Sequence, residues 1–304
     1  YVFRLIVQDD LSQLRSEMLL SGTDALGASL GRTIAGTASF FYCYNILLFF
    51  YSLTFRHDNK WLLILLIVSS TSRIFHALTY IGRDGLLFWI LSFFFTYFLF
   101  APYLNKEAKK LVRKLFYVCG TFVLLLIAAI TLSRFSESDN GAIWSLVSYL
   151  GQPIDNFAKM FHSNYNLWEG TRGLFPLLFG DQVQSAADLL SSVDDFEAKF
   201  GFKNNVFYSF VGSFYMCWGP IITIIVALLY NYYMTKRLNN AYSSMSVMII
   251  LMIASHIVLN NYFYWAYYIR VANLFIFSTP IFVIFCSKSN CRIVDADQYR
   301  TANR

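Results

Sequence analysis

Seven stretches of the chain are apolar for long enough to cross a bilayer: about 34–55, 60–80, 86–103, 115–132, 209–231, 241–259 and 270–286. A spanning helix needs ~20 residues, and tilt absorbs a few either way. The polar connections between these stretches are brief, except over 133–208. The pattern predicts an all-α, polytopic membrane helix bundle of about seven transmembrane helices with one large external loop of short helices. Three parts follow: 1–132 as an external amphipathic segment and four transmembrane helices, 133–208 as a large periplasmic loop subdomain, and 209–304 as three transmembrane helices and a cytoplasmic tail. From Asp9 to Leu20 an N-cap precedes an amphipathic run, which reads as a helix lying on the outer membrane surface. Tyr262 to Tyr268, rich in Tyr, Phe and Trp, reads as an interfacial belt before the seventh stretch. The chain starts at Tyr1 rather than Met, and the expectation is that further helices precede it.

Inside 133–208, apolar residues recur at helical spacing: Ile143, Leu146, Val147 and Leu150; Ile154, Phe157 and Phe161; Val183, Ala186 and Leu190. Gly151 and Pro153 are expected to break the first two groups into separate helices. Trp144, Trp168 and the many Phe residues argue against a disordered linker.

Charge orients the bundle. Arg56 and Lys60, then Lys106, Lys109, Lys110, Arg113 and Lys114, then Lys236 and Arg237, then Lys288, Arg292, Arg300 and Arg304 fall on alternate connections. Lys and Arg favour the cytoplasmic side, which puts 133–208 outside. Composition agrees: 57% of residues are hydrophobic and 14% charged, against about 25% charged for a soluble domain. Cys43, Cys119, Cys217, Cys286 and Cys291 have no metal-ligand spacing and read as small apolar fillers. No phosphate-binding glycine loop, nucleophile elbow or zinc-protease helix motif is present. Asp9-Asp10 and Asp194-Asp195 read as helix caps rather than metal ligands, and no metal or other cofactor is expected. The basic tail lacks interleaved aromatic residues, so nucleic acid is not an expected partner.

Polar residues within the apolar stretches mark where chemistry could lie. Ser69, Arg73, His76 and Tyr80 follow i, i+4, i+7, i+11, one stripe leading out to Arg83. An arginine inside a span costs roughly 2.5–3.5 kcal/mol at mid-bilayer, so a partner or a task must hold it there. The bland alternatives are an Arg73 that snorkels to the headgroups and a His76 that serves as a structural donor. His256 with Asn260, and Arg270 with Asn273, carry polar groups toward the same side. Together they suggest a membrane-embedded pocket open to the outside.

Several segments resemble the Wzy-type O-antigen polymerases, the oligosaccharide repeat-unit polymerases of bacterial surface polysaccharides. They are Ser72-Arg73 followed by Gly82-Arg-Asp-Gly-Leu-Leu-Phe-Trp-Ile-Leu-Ser92, then Tyr149-Leu-Gly151-Gln-Pro153-Ile-Asp155-Asn-Phe157, then Asn205 to Phe210, Phe214-Tyr215 and Gly219-Pro220. The resemblance implies a glycosyltransferase of the bacterial inner membrane, acting at its periplasmic face. Its implied partners are undecaprenyl-pyrophosphate-linked oligosaccharides, membrane lipids and a chain-length regulator. In that reading Arg73 and Arg83, with Arg172 and Arg270, hold the pyrophosphate leaving group. Asp155, His162, Glu169 and His76 are candidate general bases for the acceptor hydroxyl. Tyr149, Tyr165 and Trp168 could stack on sugar rings. A lipid-linked glycan ligase shares the architecture. A flippase or transporter would show internal repeats and Gly/Pro-broken helices at mid-membrane, and the sequence displays neither. A scaffolding protein would leave Arg73 unexplained.

Overall fold

The computed structural model describes residues 36–55, 59–78, 84–135, 142–162, 174–179, 209–238, 249–253 and 270–288, with 198, 256, 261 and 262 individually. All regular structure among these residues is helical. In chain order the helices are α1 (Tyr42–Phe55), α2 (Lys60–Ser70), α3 (Ser72–Leu78), α4 (Asp84–Phe100), α5 (Lys106–Phe135), α6 (Ala142–His162), α7 (Pro176–Phe179), α8 (Ser209–Leu238) and α9 (Arg270–Lys288).

Local chemistry sets several boundaries. Asn59 caps α2 by accepting a hydrogen bond from the Leu62 N–H, and Asn105 caps α5 by accepting one from Ala108. The run Ser69-Ser-Thr-Ser72 ends α2. The Ser70 hydroxyl donates to the Ile67 carbonyl and the Thr71 hydroxyl to the Val68 carbonyl, competing with the helical ladder, and a turn at Thr71 separates α2 from α3.

The core is aromatic. Phe50, Phe93, Phe100 and Phe275 are fully buried, and Phe50 meets Phe93 at 5.1 Å between ring centroids. Helix α1 packs against α2 and α4, and α3 against α4. Helix α9 is met by Phe41 and by the first turn of α1: Phe41 contacts Phe275 edge-on at 5.7 Å, and the Tyr44 hydroxyl lies 3.1 Å from Thr279 Oγ1. Helix α6 packs on α5 and α8, and α7 on α9.

Two helical stretches among the described residues are long and apolar enough to cross a membrane, Lys60–Leu78 and Cys217–Lys236. Asp84–Phe100 and Ala272–Ile284 are apolar but shorter. The sequence expectation of about seven such stretches is therefore matched here only in its coarser form, an all-α fold. The first stretch is interrupted at Phe41, and 241–259 is described only at 249–253 and 256.

Three sequence expectations differ from what is seen. Helix α5 starts well before residue 115, because Ala108 and Val112 are buried one turn apart and draw the basic Lys106–Lys114 segment into the helix. Gly151 and Pro153 do not break the 133–208 connection into short helices there; α6 is continuous through both. A proline removes one N–H from the ladder. In this turn the Tyr262 hydroxyl donates to the Leu150 carbonyl at 3.1 Å, an outside partner where the ladder is weakened. Finally, α8 is broken inside its length. Gly219 has φ 70° and ψ 179°, a left-handed backbone that glycine tolerates, next to Pro220, which disfavours a helical residue before it.

Candidate functional site

The Ser69–His76 stripe faces α1. Ser69 Oγ accepts from the Asn45 side chain at 2.9 Å. One turn on, the Arg73 guanidinium carbon sits 4.8 Å from the centre of the Phe40 ring and 5.7 Å from that of Phe88. His76 lies beside Gly36: a methyl placed on that glycine would meet the imidazole Cε1 at 3.8 Å.

Arg73 does not snorkel. It is buried, at 5% exposure, and its Nη2 donates to Asp84 Oδ2 at 3.1 Å. The sequence reading looked for an anion outside the protein. The chain supplies one itself, in the first turn of α4, where the helix N-terminus also favours negative charge. The approach of α3 to α4 depends on Gly85. A Cβ there would lie 2.4 Å from the Ala77 Cβ and 2.5 Å from the Arg73 carbonyl oxygen. Trp89 completes the junction by donating its indole N–H to Ser70 Oγ at 2.9 Å.

About two helical turns beyond Asp84 along α4 lies a second polar cluster. The Tyr42 hydroxyl is 3.0 Å from Ser92 Oγ and 3.4 Å from His256 Nδ1, and all three residues are buried. The Ser92 hydroxyl also reaches the Phe88 carbonyl at 2.5 Å, so the cluster is tied to the helix that carries Asp84. Sequence reasoning singled out His256 but not Tyr42, Ser92, Asp84 or the rings of Phe40 and Phe88. The signal for Asp84 was its place in Gly82-Arg-Asp-Gly85, eleven residues after Arg73.

The described parts of the 133–208 connection pack on α8 and α9. Asn273, fully buried, accepts from the Leu177 N–H and donates to the Leu174 carbonyl, each at 3.3 Å. Phe175 stacks on Trp218, and Phe157 and Phe161 contact Tyr215. Phe210 donates its N–H to the carbonyl of the buried Asn261.

The other predicted site residues fall in different places. Asp155 and His162 are exposed on α6, a helix that packs on α5 and α8 rather than on α3. Asp155 forms an ion pair with Lys159 at 2.7 Å. Tyr149 lies within α6 and Arg270 opens α9; their side chains are outside the described residues. Tyr80, Arg83, Tyr165, Trp168, Glu169, Arg172, Asn260 and both Asp pairs also lie outside them. Among the described residues no cluster of His, Cys, Asp and Glu could hold a metal ion.

A guanidinium keeps its charge at any working pH and offers a planar fork of donors suited to phosphate. Held between two aromatic faces and a carboxylate, it is pre-oriented at little entropic cost. The arrangement holds the guanidinium in one orientation, and the anion it meets among the described residues is Asp84. No known protein family, curated protein or solved structure matches this chain.

Proposed function

We propose that the chain is a bacterial inner-membrane glycosyltransferase that polymerises oligosaccharide repeat units carried on undecaprenyl pyrophosphate, at the periplasmic face. The observation that carries this reading is Arg73, a guanidinium buried in an apolar helix, flanked by Phe40 and Phe88 and held by Asp84. In this mechanism Arg73, with Arg83, Arg172 and Arg270, stabilises the pyrophosphate as it leaves the growing chain. Asp84 holds the Arg73 fork in place. A base drawn from Asp155, His162, Glu169 and His76 takes the proton of the acceptor hydroxyl. Charge from arginine makes a metal unnecessary.

The finer architecture belongs to the same proposal: about seven spans, with 133–208 outside. What supports a bilayer around the bundle is its apolar exterior. Only 6% of the most apolar part of Cys217–Lys236 is buried, whereas the core helix of a soluble protein would be mostly buried.

A second reading, a flippase or transporter of the same lipid-linked glycan, is favoured by the broken backbone at Gly219 in α8. The deciding experiment supplies a lipid-pyrophosphate repeat unit to the purified protein in detergent and in sealed vesicles. A ladder of longer glycans supports the polymerase. Transfer only to a different lipid means a ligase. Movement across the vesicle bilayer without elongation means a transporter.

A further inference from the structure

Helix α6 divides into distinct faces along its length. Pro153, Asn156 and Met160 are buried, and this side packs on α5 and α8. Next to it, on one side, Val147, Leu150, Ile154 and Phe161 are all exposed, a stripe of large apolar side chains, and Trp144, also exposed, sits where this stripe meets the polar edge. Beyond that stripe runs a polar edge of Ser148, Asp155, Lys159 and His162, also exposed. The helix is 21 residues long, enough to cross a bilayer, but a polar edge with an ion pair along its second half excludes crossing. The two helices that α6 packs on also carry exposed apolar side chains, Tyr117, Val118 and Leu125 on α5 and Val211, Ile221, Ile224 and Leu228 on α8.

A buried side, an apolar stripe and a polar edge are what a helix needs when protein, hydrocarbon and water meet along it. We propose that α6 lies in the plane of the membrane interface, with Val147, Leu150, Ile154 and Phe161 inserted among the lipid acyl chains. The inference rests on the bilayer placement proposed above, but not on the glycosyltransferase reaction. It puts Asp155 and His162, which share one side of α6 at a spacing of seven residues, at headgroup level. That is the level at which the pyrophosphate of a lipid-linked glycan would sit. Lipid acyl chains, rather than another protein, are the occupant favoured by the apolar exterior of α8, on which α6 packs and of whose most apolar part only 6% is buried.

The test is collision accessibility. Single cysteines at Val147, Ile154, Ser148 and Lys159, in a background lacking the native cysteines, are spin-labelled in lipid nanodiscs. Each is exposed to oxygen, which concentrates in hydrocarbon, and to a water-soluble nickel chelate. Ile224 and Leu228 on the exposed side of α8 serve as bilayer controls. The proposal expects oxygen to dominate at Val147 and Ile154 and nickel at Ser148 and Lys159. Nickel dominance at Val147 and Ile154, with oxygen dominance at the α8 controls, overturns the in-plane helix and leaves the membrane reading standing. Low accessibility to both reagents at Val147 and Ile154 also overturns it, because protein then covers the stripe: the chain's own 163–173 or 180–208, or a partner. Nickel dominance at the α8 controls themselves overturns the bilayer placement, and this inference with it.

Discussion

Arg73 and Asp84 form a buried ion pair, Nη2 to Oδ2 at 3.1 Å, that joins α3 to the first turn of α4. The arginine side chain is 6% exposed and the carboxylate 19%. Both members have given up most of their hydration, and only their mutual attraction offsets that cost; losing one leaves the other a charge in poor solvent.

Replacing either member should therefore hurt by different routes. Arg73→Ala should lower glycan polymerisation about 10²-fold, by analogy with loss of one donor to a developing anion. Arg73→Lys should restore part of it, since lysine keeps the charge but not the fork. Asp84→Asn should cost roughly 3 kcal/mol of stability. Thermal unfolding in detergent, read beside the glycan ladder, checks both. Full activity of Arg73→Ala at normal membrane abundance would assign the pair to structure alone.

Gly85→Ala should destabilise the α3–α4 junction by about 1–3 kcal/mol, through overpacking against Ala77 and the Arg73 carbonyl. Adding Ala77→Gly should relieve only part of the loss, because the backbone carbonyl remains in the way. Melting temperatures of the single and double variants measure the difference; full recovery in the double variant would mean that the carbonyl contact is not limiting.

Tyr42→Phe keeps the ring and removes the hydroxyl shared by Ser92 and His256. A loss of roughly 1–2 kcal/mol is expected for buried partners deprived of a hydrogen bond. Chemical denaturation of the purified protein reads it out, and an unchanged midpoint would show the cluster to be dispensable for folding.

Membrane orientation is tested at two exposed lysines. Lys159→Cys on α6 should react with an impermeant thiol reagent on intact spheroplasts, and Lys110→Cys on α5 only after permeabilisation. The opposite pattern would invert the topology.

The reaction is expected to continue in excess chelator, because the arginines supply the positive charge that a divalent ion would otherwise give a leaving phosphate. If chelator stops turnover and magnesium or manganese restores it, the metal-free mechanism is wrong, and the Asp9-Asp10 and Asp194-Asp195 pairs become the first candidate ligands.

Periodicity made the helical character legible, along with the placing of Ser69, Arg73 and His76 on one face, since side-chain direction on a helix follows from spacing alone. The partner of that face was not legible. Nothing local says that α1 lies against it, or that Phe40 and Phe88 flank a guanidinium; those are tertiary choices. The continuity of α6 was misread because Gly151 and Pro153 are strong local breakers, and the Tyr262 hydroxyl at the Leu150 carbonyl comes from a residue far along the chain. The break at Gly219 was legible in hindsight from Gly-Pro alone, but the sequence reading looked for broken helices only as a mark of transporters and passed over it.

The two parts of α8 have unequal moorings. Before Gly219, Phe214 packs on Trp218 and Trp218 stacks on Phe175, which anchors that part to the segment before α7. After it, Ile221, Ile224, Leu228 and Tyr232 face outward. A methyl on Gly219 would touch nothing within 4 Å, so the positive φ, and not crowding, is what calls for glycine at the joint. Helix α8 is thus two rods joined at one residue. Any change in the angle between them falls at Gly219, because Trp218 is seated on Phe175 on one side and Met234 packs against Leu251 on the other.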